Sequence, residues 1–248
     1  MDRCLKIEHA RFHGGLHLAG FDTGVIAAPP RRLTCSPTTG RRTGCASRPS
    51  GCGCACRTTA SLAALASLAA EGVHEPGERP FLTPWTEGGP DERAREVLRG
   101  HWADLAGWRP DRWALGLGVF TPDGEPLGQV TLRGDDFGVV REVRTSSWLG
   151  LRHHRRGYGT EARTAVLALA FDHLGARSAL SEVFPDNHAS QGVSRRLGYE
   201  PDGVAWDARD GEALRSDRLR LTRERWLADE HPDVRVARLD ACRDWFIG

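Results

Sequence analysis

One segment, residues 152–162, constrains the fold of this 248-residue chain more than any other. An apolar stretch ends there, two glycines and two arginines follow, and a helical pattern begins. Gly157 and Gly159 let the backbone turn tightly and bring its N–H groups close to an anion. Arg155 and Arg156 add cations that suit phosphate, and the helix N-terminus adds unpaired donors. The segment predicts a pyrophosphate site, and the alternative is a glycine-rich turn with a solvated basic patch.

The hydrophobic pattern from residue 60 onward predicts two helices, three strands, a helix, a strand, a helix and two strands. This order predicts an α/β (α+β) domain over residues 60–228, followed by a C-terminal tail over residues 229–248. The predicted helices begin near Ala60, Pro90, Gly159 and Ala189, and the predicted strands are Trp113–Phe120, Leu127–Leu132, Val139–Leu151, Ala179–Phe184, Val204–Arg209 and Leu214–Thr222.

The charge of the chain is balanced, with 34 basic and 33 acidic residues and a formal net charge of +1. No field of one sign dominates, so the composition argues against general binding to nucleic acid or to a membrane surface. No apolar run is long enough to span a bilayer, and the first residues lack the apolar segment of a secretory signal. We therefore expect a cytoplasmic protein.

Residues 1–59 differ from the rest of the chain because they are rich in Gly, Pro, Thr, Arg and Cys and show no sustained periodicity. We expect this segment to be irregular or disordered. It holds the run Cys52-x-Cys54-x-Cys56, with Cys45 nearby, which raises the alternative of a metal-binding module. Paired zinc ligands prefer two to four intervening residues, and no His pair follows at a useful spacing, so we expect no metal.

A second polar motif, Asp186-Asn187-His188-Ala189-Ser190, follows a predicted strand and begins a helix that ends at Leu197-Gly198-Tyr199. The side-chain amide of Asn187 could bond a ligand amide across the gap between two strands. The alternative is that Asn187 or Asp186 caps the helix.

The segments Gly157-Tyr158-Gly159-Thr160-Glu161-Ala162, Asn187-x-x-Ser190 and Leu197-Gly198-Tyr199 together resemble the GNAT acyltransferases, in particular the RimJ/RimL type. The resemblance extends from about Ala60 to Trp226. It implies the GNAT fold, a mixed, mostly antiparallel sheet flanked by helices, in which splayed strands form the cleft for CoA. It also implies that acetyl-CoA is bound by Trp148, Leu149, Leu151, His154, Arg155, Arg156, Gly157, Tyr158, Gly159, Thr160 and Asn187.

The sequence departs from the family pattern at two positions. His154 stands where the glycine loop usually begins with Gln or Arg, and Ser194 stands where many relatives have a Tyr that protonates the thiolate. The resemblance leaves Ser190, or a water, for that role. An amine must lose a proton before it attacks, and Glu142 is our candidate base. The alternative for Glu142 is a surface carboxylate paired with a neighbouring arginine.

The acceptor is expected to be a primary amine, either a protein N-terminus or a small molecule. Trp85, Trp102 and Trp148 could line its pocket or belong to the core, and Glu182 and Asp186 could attract a cationic acceptor. Succinyl or another acyl group is an alternative to acetyl, and a non-catalytic acyl-CoA sensor is an alternative to an enzyme. A homodimer is left open.

The unusual N-terminal composition prompts a hypothesis about the reading frame. A GNAT fold needs a strand before its first helix, and the pattern of residues 1–59 predicts none. If residues 51–59 are back-translated with G/C-rich codons and shifted by two bases, they spell Leu-Arg-Leu-Arg-Leu-Pro-Asp-Asp, which alternates like a strand. On this hypothesis the chain lacks its first strand, and the neighbouring strand has an unpaired edge.

Overall fold

The computed structural model describes residues 6–9, 17–20, 59–237 and 239–247. The strands within these residues are β1 (Lys6–His9), β2 (His17–Gly20), β3 (Arg112–Phe120), β4 (Pro126–Asp135), β5 (Glu142–Leu149), β6 (Ser178–Val183), β7 (Glu200–Arg209), β8 (Glu212–Thr222) and β9 (Val234–Ala237). They form one sheet in the order β7-β8-β6-β5-β4-β3-β2-β1-β9. Each neighbouring pair is antiparallel except β5 and β6, which are parallel.

The helices are α1 (Thr59–Glu71), α2 (Pro90–Ala106), α3 (Phe137–Val140), α4 (Tyr158–Ala168), α5 (His188–Arg196), α6 (Arg223–Ala228) and α7 (Asp244–Ile247). A π-helical turn at Leu169–His173 continues α4, and 3-10 turns lie at Leu151–His153 and Leu239–Ala241. The α/β class and the order of elements from α1 to β8 confirm the prediction, including the mixed, mostly antiparallel sheet.

Two clusters of buried side chains hold the helices against the sheet. The larger one joins the inward residues of α4, such as Ala165 and Val166, to Leu117 of β3 and Val143 of β5. The smaller one joins α1 and α2 to Phe120 and contacts Trp148. Because successive strand residues point to opposite faces, this division places α4 on one face and the α1–α2 pair on the other.

The strand predicted over Val139–Leu151 is shorter than expected. Residues 137–140 form the single turn of α3, and Val139 at its surface is 82% exposed. Arg141 then adopts a left-handed conformation, with φ of 59°, which ends the turn before β5 begins. At the other end, Leu151 belongs to a 3-10 turn instead of β5. Because the apolar residues continue beyond β5, the predicted strand was too long at both ends.

The prediction that residues 1–59 are irregular is wrong for β1 and β2. β2 pairs with β3 from His17↔Phe120 to Gly20↔Leu117, so this edge of β3 is paired and not open. Strands of four residues are too short to show a period, and pairing with a formed edge decides their conformation. The remaining residues before Thr59 lie outside the described part, among them Cys45, Cys52, Cys54 and Cys56.

Residues 229–248, predicted as a tail, contribute to both the sheet and the core. β9 pairs with β1 from Lys6↔Ala237 to His9↔Val234. Phe246 of α7 is buried and packs edge-on against Trp113, whose indole Nε1 donates to the Phe246 carbonyl at 3.1 Å. The hydrophobic pattern of so short a segment could not show this docking, because its partners lie far away in the sequence.

Candidate active site

The parallel strands β5 and β6 separate and open a cleft in the middle of the sheet. They pair only at Glu142↔Ser178, Val143↔Ala179 and Arg144↔Leu180, at their first residues. β5 continues to Leu149 and keeps its pairing with β4, but β6 no longer accompanies it. The backbone groups on this edge of β5, from Thr145 onward, are therefore available to an added extended chain, as in ligands that bind by strand addition.

The predicted glycine loop connects the end of β5 to α4. Arg155 and Gly157 have positive φ values of 59° and 87°, and Gly157 is the N-terminal cap residue of α4. A Cβ atom added to Gly157 would meet no atom within 4 Å, so the space in front of the loop is open. The first intrahelical acceptor, the Gly157 carbonyl, receives the Glu161 N–H at 3.1 Å. The earlier N–H groups of the turn, from Tyr158 to Thr160, are available to an anion.

Contacts at the loop hold it against the open end of the cleft. His154 Nε2 lies 3.2 Å from the Leu149 carbonyl, which ties the loop to the last residue of β5. A Cβ on Gly159 would lie 3.7 Å from Leu149 and 3.8 Å from Val193 of α5, so α4, α5 and β5 converge there. Arg155 and Arg156 are exposed. Backbone donors and two exposed cations thus lie together in the loop that joins β5 to α4.

Asn187 lies at the end of β6, on the side of the cleft opposite β5. Its Oδ1 accepts the Ser190 N–H at 3.0 Å, so it caps α5 as the alternative interpretation predicted. Among the residues that the structure describes, its Nδ2 has one acceptor, the Pro80 carbonyl at 3.5 Å, which is the outer limit of a hydrogen bond. The cap therefore occupies the oxygen of the amide and leaves its NH₂ group weakly bonded beside the cleft.

Comparison with known proteins identifies this arrangement. A family model described as an acetyltransferase (GNAT) domain matches residues 59–200, more than half of the chain. The chain belongs to the GNAT acetyltransferase family. It is an N-acetyltransferase, and its cleft and glycine loop lie within the matched residues.

Solved structures share the fold of this acetyltransferase. RimJ of Mycobacterium smegmatis, in complex with CoA-disulfide, is 16% identical, with 90% of this chain and 93% of that chain covered and a TM-score of 0.58. A GCN5-related N-acetyltransferase from Brucella melitensis is 17% identical, with 92% and 82% covered and a TM-score of 0.57. RimL, a ribosomal L7/L12 alpha-N-protein acetyltransferase in complex with CoA, is 13% identical, with 87% and 97% covered and a TM-score of 0.54.

Glu142, the predicted base, lies away from the cleft of the acetyltransferase. It is the first residue of β5, where β5 and β6 are still paired, three residues before Thr145, at which the open edge begins. Its carboxylate accepts from the Ser178 hydroxyl at 2.7 Å and forms an ion pair with Arg220 of β8. The geometry argues against a catalytic role and gives Glu142 a structural one. The sequence could not show this, because the point where β5 and β6 part depends on pairing.

The loop between α1 and α2 crosses the mouth of the cleft. Trp85 in this loop stacks at a tilt on Trp148 of β5, with ring centroids 5.7 Å apart, and Phe81 lies 5.1 Å from Trp85. Buried Arg209 at the end of β7 donates to the Phe81 carbonyl at 2.6 Å and pairs with Glu87. Two of the predicted tryptophans thus meet at the site. The third, Trp102, is 58% exposed on α2 and lies apart from them.

Sequence reasoning missed a small cavity between α2 and the strands β3 and β4. His101, Asp104 and Gln129 line it, together with Trp108 and Gly116. Burial raises the pKa of the Asp104 carboxyl and lowers the pKa of His101. Gln129 pairs across the strands with Trp148, so the cavity lies beside the end of the cleft. The sequence did contain an indication of this cavity, because His101 and Asp104 stand at helical spacing next to the apolar stripe of α2.

Two negative findings concern the described residues only. In residues 6–9, 17–20, 59–237 and 239–247, no group of three or more His, Cys, Asp or Glu side chains could hold a metal ion. No helix among them is long and apolar enough to cross a membrane.

Proposed function

We propose that this enzyme transfers an acetyl group from acetyl-CoA to a primary amine by direct attack in a ternary complex. The observation that carries the proposal is the glycine loop at the N-terminus of α4, placed beside the open edge of β5. The loop N–H groups with Arg155 and Arg156 would bind the pyrophosphate, and the edge of β5 would pair with the pantetheine arm. RimJ of M. smegmatis and RimL, which share the fold, were solved with CoA species bound.

The bound pantetheine arm would place the thioester beside β5 and the NH₂ group of Asn187. The amine nitrogen attacks the thioester carbonyl carbon, and backbone N–H groups on the open edge of β5 stabilise the oxyanion that forms. The C–S bond then breaks, and the thiolate takes a proton from Ser190 or from a water. Holding both substrates in one cleft supplies much of the acceleration, because the reacting atoms meet in a fixed orientation.

The amine proton needs another acceptor than Glu142. Asp104, whose pKa is raised by burial, is a stronger base than an ordinary carboxylate, and a lowered pKa keeps His101 neutral near pH 7. Both line the cavity beside Gln129 and could take the proton through a water. If so, Asp104→Asn and His101→Gln lower kcat with little change in CoA affinity. Glu142→Gln is the matched control, which is expected to lower stability and leave kcat intact. If instead Glu142→Gln lowers kcat and the Asp104 and His101 variants do not, Glu142 is the base.

The mouth of the cleft supports a cationic amine as the acceptor. Phe81, Trp85 and Trp148 present ring surfaces there, and an alkylammonium group binds favourably to such surfaces. The exposed carboxylates of Glu182 and Asp186, near the end of β6, would attract a cation. A protein N-terminus and a small-molecule amine both fit this description.

The decisive experiment incubates the protein with acetyl-CoA and a panel of amines. Release of free thiol together with an acetylated amine is the expected result. Calorimetry with acetyl-CoA is run on the same preparation. Binding without transfer to any acceptor would favour the alternative of a non-catalytic acyl-CoA sensor, and absence of binding would contradict both functions.

A further inference from the structure

Four polar side chains meet at the apex of the cleft, where β5 leaves β6. They are Thr145 of β5, Arg163 of α4, Ser194 of α5 and Tyr199, which follows α5. All four are buried, with Arg163 only 3% exposed and Ser194 fully enclosed. Arg163 Nη1 donates to the Ser194 hydroxyl at 2.9 Å, and the Tyr199 N–H donates to the Ser194 carbonyl at 3.1 Å. Thr145 is the first residue of β5 beyond its last pair with β6.

The protein itself does not supply all the hydrogen-bond partners and the counter-ion that this cluster needs. Within the described ranges, Arg163 Nε has no hydrogen-bond partner, and the Tyr199 and Thr145 hydroxyls have no partner beyond each other. No carboxylate in those ranges forms an ion pair with Arg163. Burial is the largest influence on both groups: it lowers the pKa of Arg163 and raises the pKa of Tyr199, and the attraction between the two side chains opposes this only in part. A buried guanidinium without a counter-ion is costly, and natural interiors rarely retain one.

The position of the cluster relates it to the cofactor. This inference rests on the proposed function. A pantetheine arm that starts at the glycine loop and follows the edge of β5 leads from Leu149 towards Thr145. Its sulfur end would then lie at the apex, beside the cluster. Water could satisfy the two hydroxyls, but it would leave the charge of Arg163 uncompensated.

We propose that Arg163, Ser194, Tyr199 and Thr145 form a binding site for an anion carried at the sulfur end of coenzyme A. Two sources supply such an anion. One is the thiolate that is left when the acyl group is transferred. The other is the terminal carboxylate of a dicarboxylic acyl chain. Both take the charge-assisted hydrogen bonds of Arg163 and the hydroxyl donors around it.

Calorimetry on the whole protein tests the site, with CoA and acetyl-CoA as probes from about pH 7 to about pH 9.5, across the ordinary thiol pKa of about 8.5. If the thiolate binds, CoA gains about tenfold in affinity relative to acetyl-CoA over this range, which corresponds to a lowered pKa of the bound thiol. Burial raises the pKa of Tyr199 above its ordinary value, so this hydroxyl stays protonated over the range. In Arg163→Met, the ratio of CoA affinity to acetyl-CoA affinity should stay constant over this pH range. In Arg163→Lys, the change in this ratio should be intermediate.

A second arm compares succinyl-CoA with butyryl-CoA, which has the same chain length without the carboxylate. Preferred binding of succinyl-CoA in the wild type, lost in Arg163→Met, identifies the carboxylate as the anion. A constant CoA to acetyl-CoA ratio together with no preference for succinyl-CoA in the wild type would overturn the proposal without any variant. Failure of the proposed function looks different, because then neither CoA nor any acyl-CoA binds.

Discussion

Gly157 is the single residue on which cofactor binding should depend most. Its φ of 87° disfavours any side chain, and the open space before it is where a phosphate would lie. We predict that Gly157→Val weakens CoA binding at least tenfold, measured by calorimetry. Gly175→Ala is a matched control, because Gly175 has a similar φ of 74° and open surroundings but follows the far end of α4. Equal losses of CoA affinity in both variants would assign the effect to general strain.

His153, next to the glycine loop, should make stability depend on pH. It is buried, its Nε2 accepts from Arg152 Nε at 3.1 Å, and burial and the charge of Arg152 lower its pKa. Below the unfolded-state pKa of about 6.5, the unfolded chain binds the proton more readily than the native protein. Stability is therefore retained above that pH and lost as the pH falls through it.

Chemical denaturation of the wild type at about pH 7.5 and about pH 5.5 measures this loss, on either side of the ordinary histidine pKa. We expect a lower free energy of unfolding at the acidic pH and a smaller difference in His153→Gln. His188→Gln is the control, since His188 is exposed. A pH dependence unchanged in His153→Gln would exclude this histidine as its source.

Turns and helix ends could be predicted from neighbouring residues, whereas positions that depend on strand pairing could not. The glycine loop needs only a turn and a helix N-terminus, and both can be read from neighbouring residues. The position of Glu142 relative to the cleft could not be predicted, because it depends on where two strands separate. Asp104 and Arg163 were not singled out, since a polar residue within a helical pattern is usually solvated.

Among the elements, the loop between α1 and α2 is held in part by a buried arginine, Arg209. We predict that Arg209→Met frees the loop, because the Phe81 carbonyl and Glu87 lose their shared partner. KM for the amine should rise about tenfold while CoA affinity changes little, since the loss of a buried charged partner costs a few kcal/mol. Steady-state kinetics and calorimetry separate the two effects.

The control for the loop is Arg215→Met. Arg215 forms an exposed pair with Asp217 at 2.9 Å on the adjacent strand, and such pairs contribute little. The KM of Arg215→Met for the amine should equal that of the wild type. If Arg209→Met also matches the wild type, the loop does not form part of the acceptor site.

Over the whole molecule, the C-terminal segment is predicted to be essential for stability. Phe246→Ala removes a buried ring from among Trp108 and Trp113, and a loss of about 3–5 kcal/mol is expected for such a truncation. Denaturant unfolding measures it. Val139→Ala, at an 82% exposed apolar position, should change stability by less than about 0.5 kcal/mol. A Phe246→Ala variant as stable as Val139→Ala would show that α7 does not pack as described.

The structure of the whole sheet removes the main reason for the reading-frame hypothesis. β2 supplies the partner that β3 was expected to lack, and residues 51–58, on which the back-translation rests, lie outside the described part. The coding DNA remains its direct test. A stop codon in the shifted frame across residues 43–60 would end it.

The pairing of β1 with β9 has a consequence for the order in which the molecule folds. Lys6–His9 finds its partner at Val234–Ala237, so this part of the sheet closes between residues more than 220 positions apart. Contacts of such long range are the slowest to form, and their loop-closure cost precedes any gain. During synthesis, β1 therefore has one unpaired edge until residues 234–237 have left the ribosome. The last twenty residues complete the sheet that the first ten began.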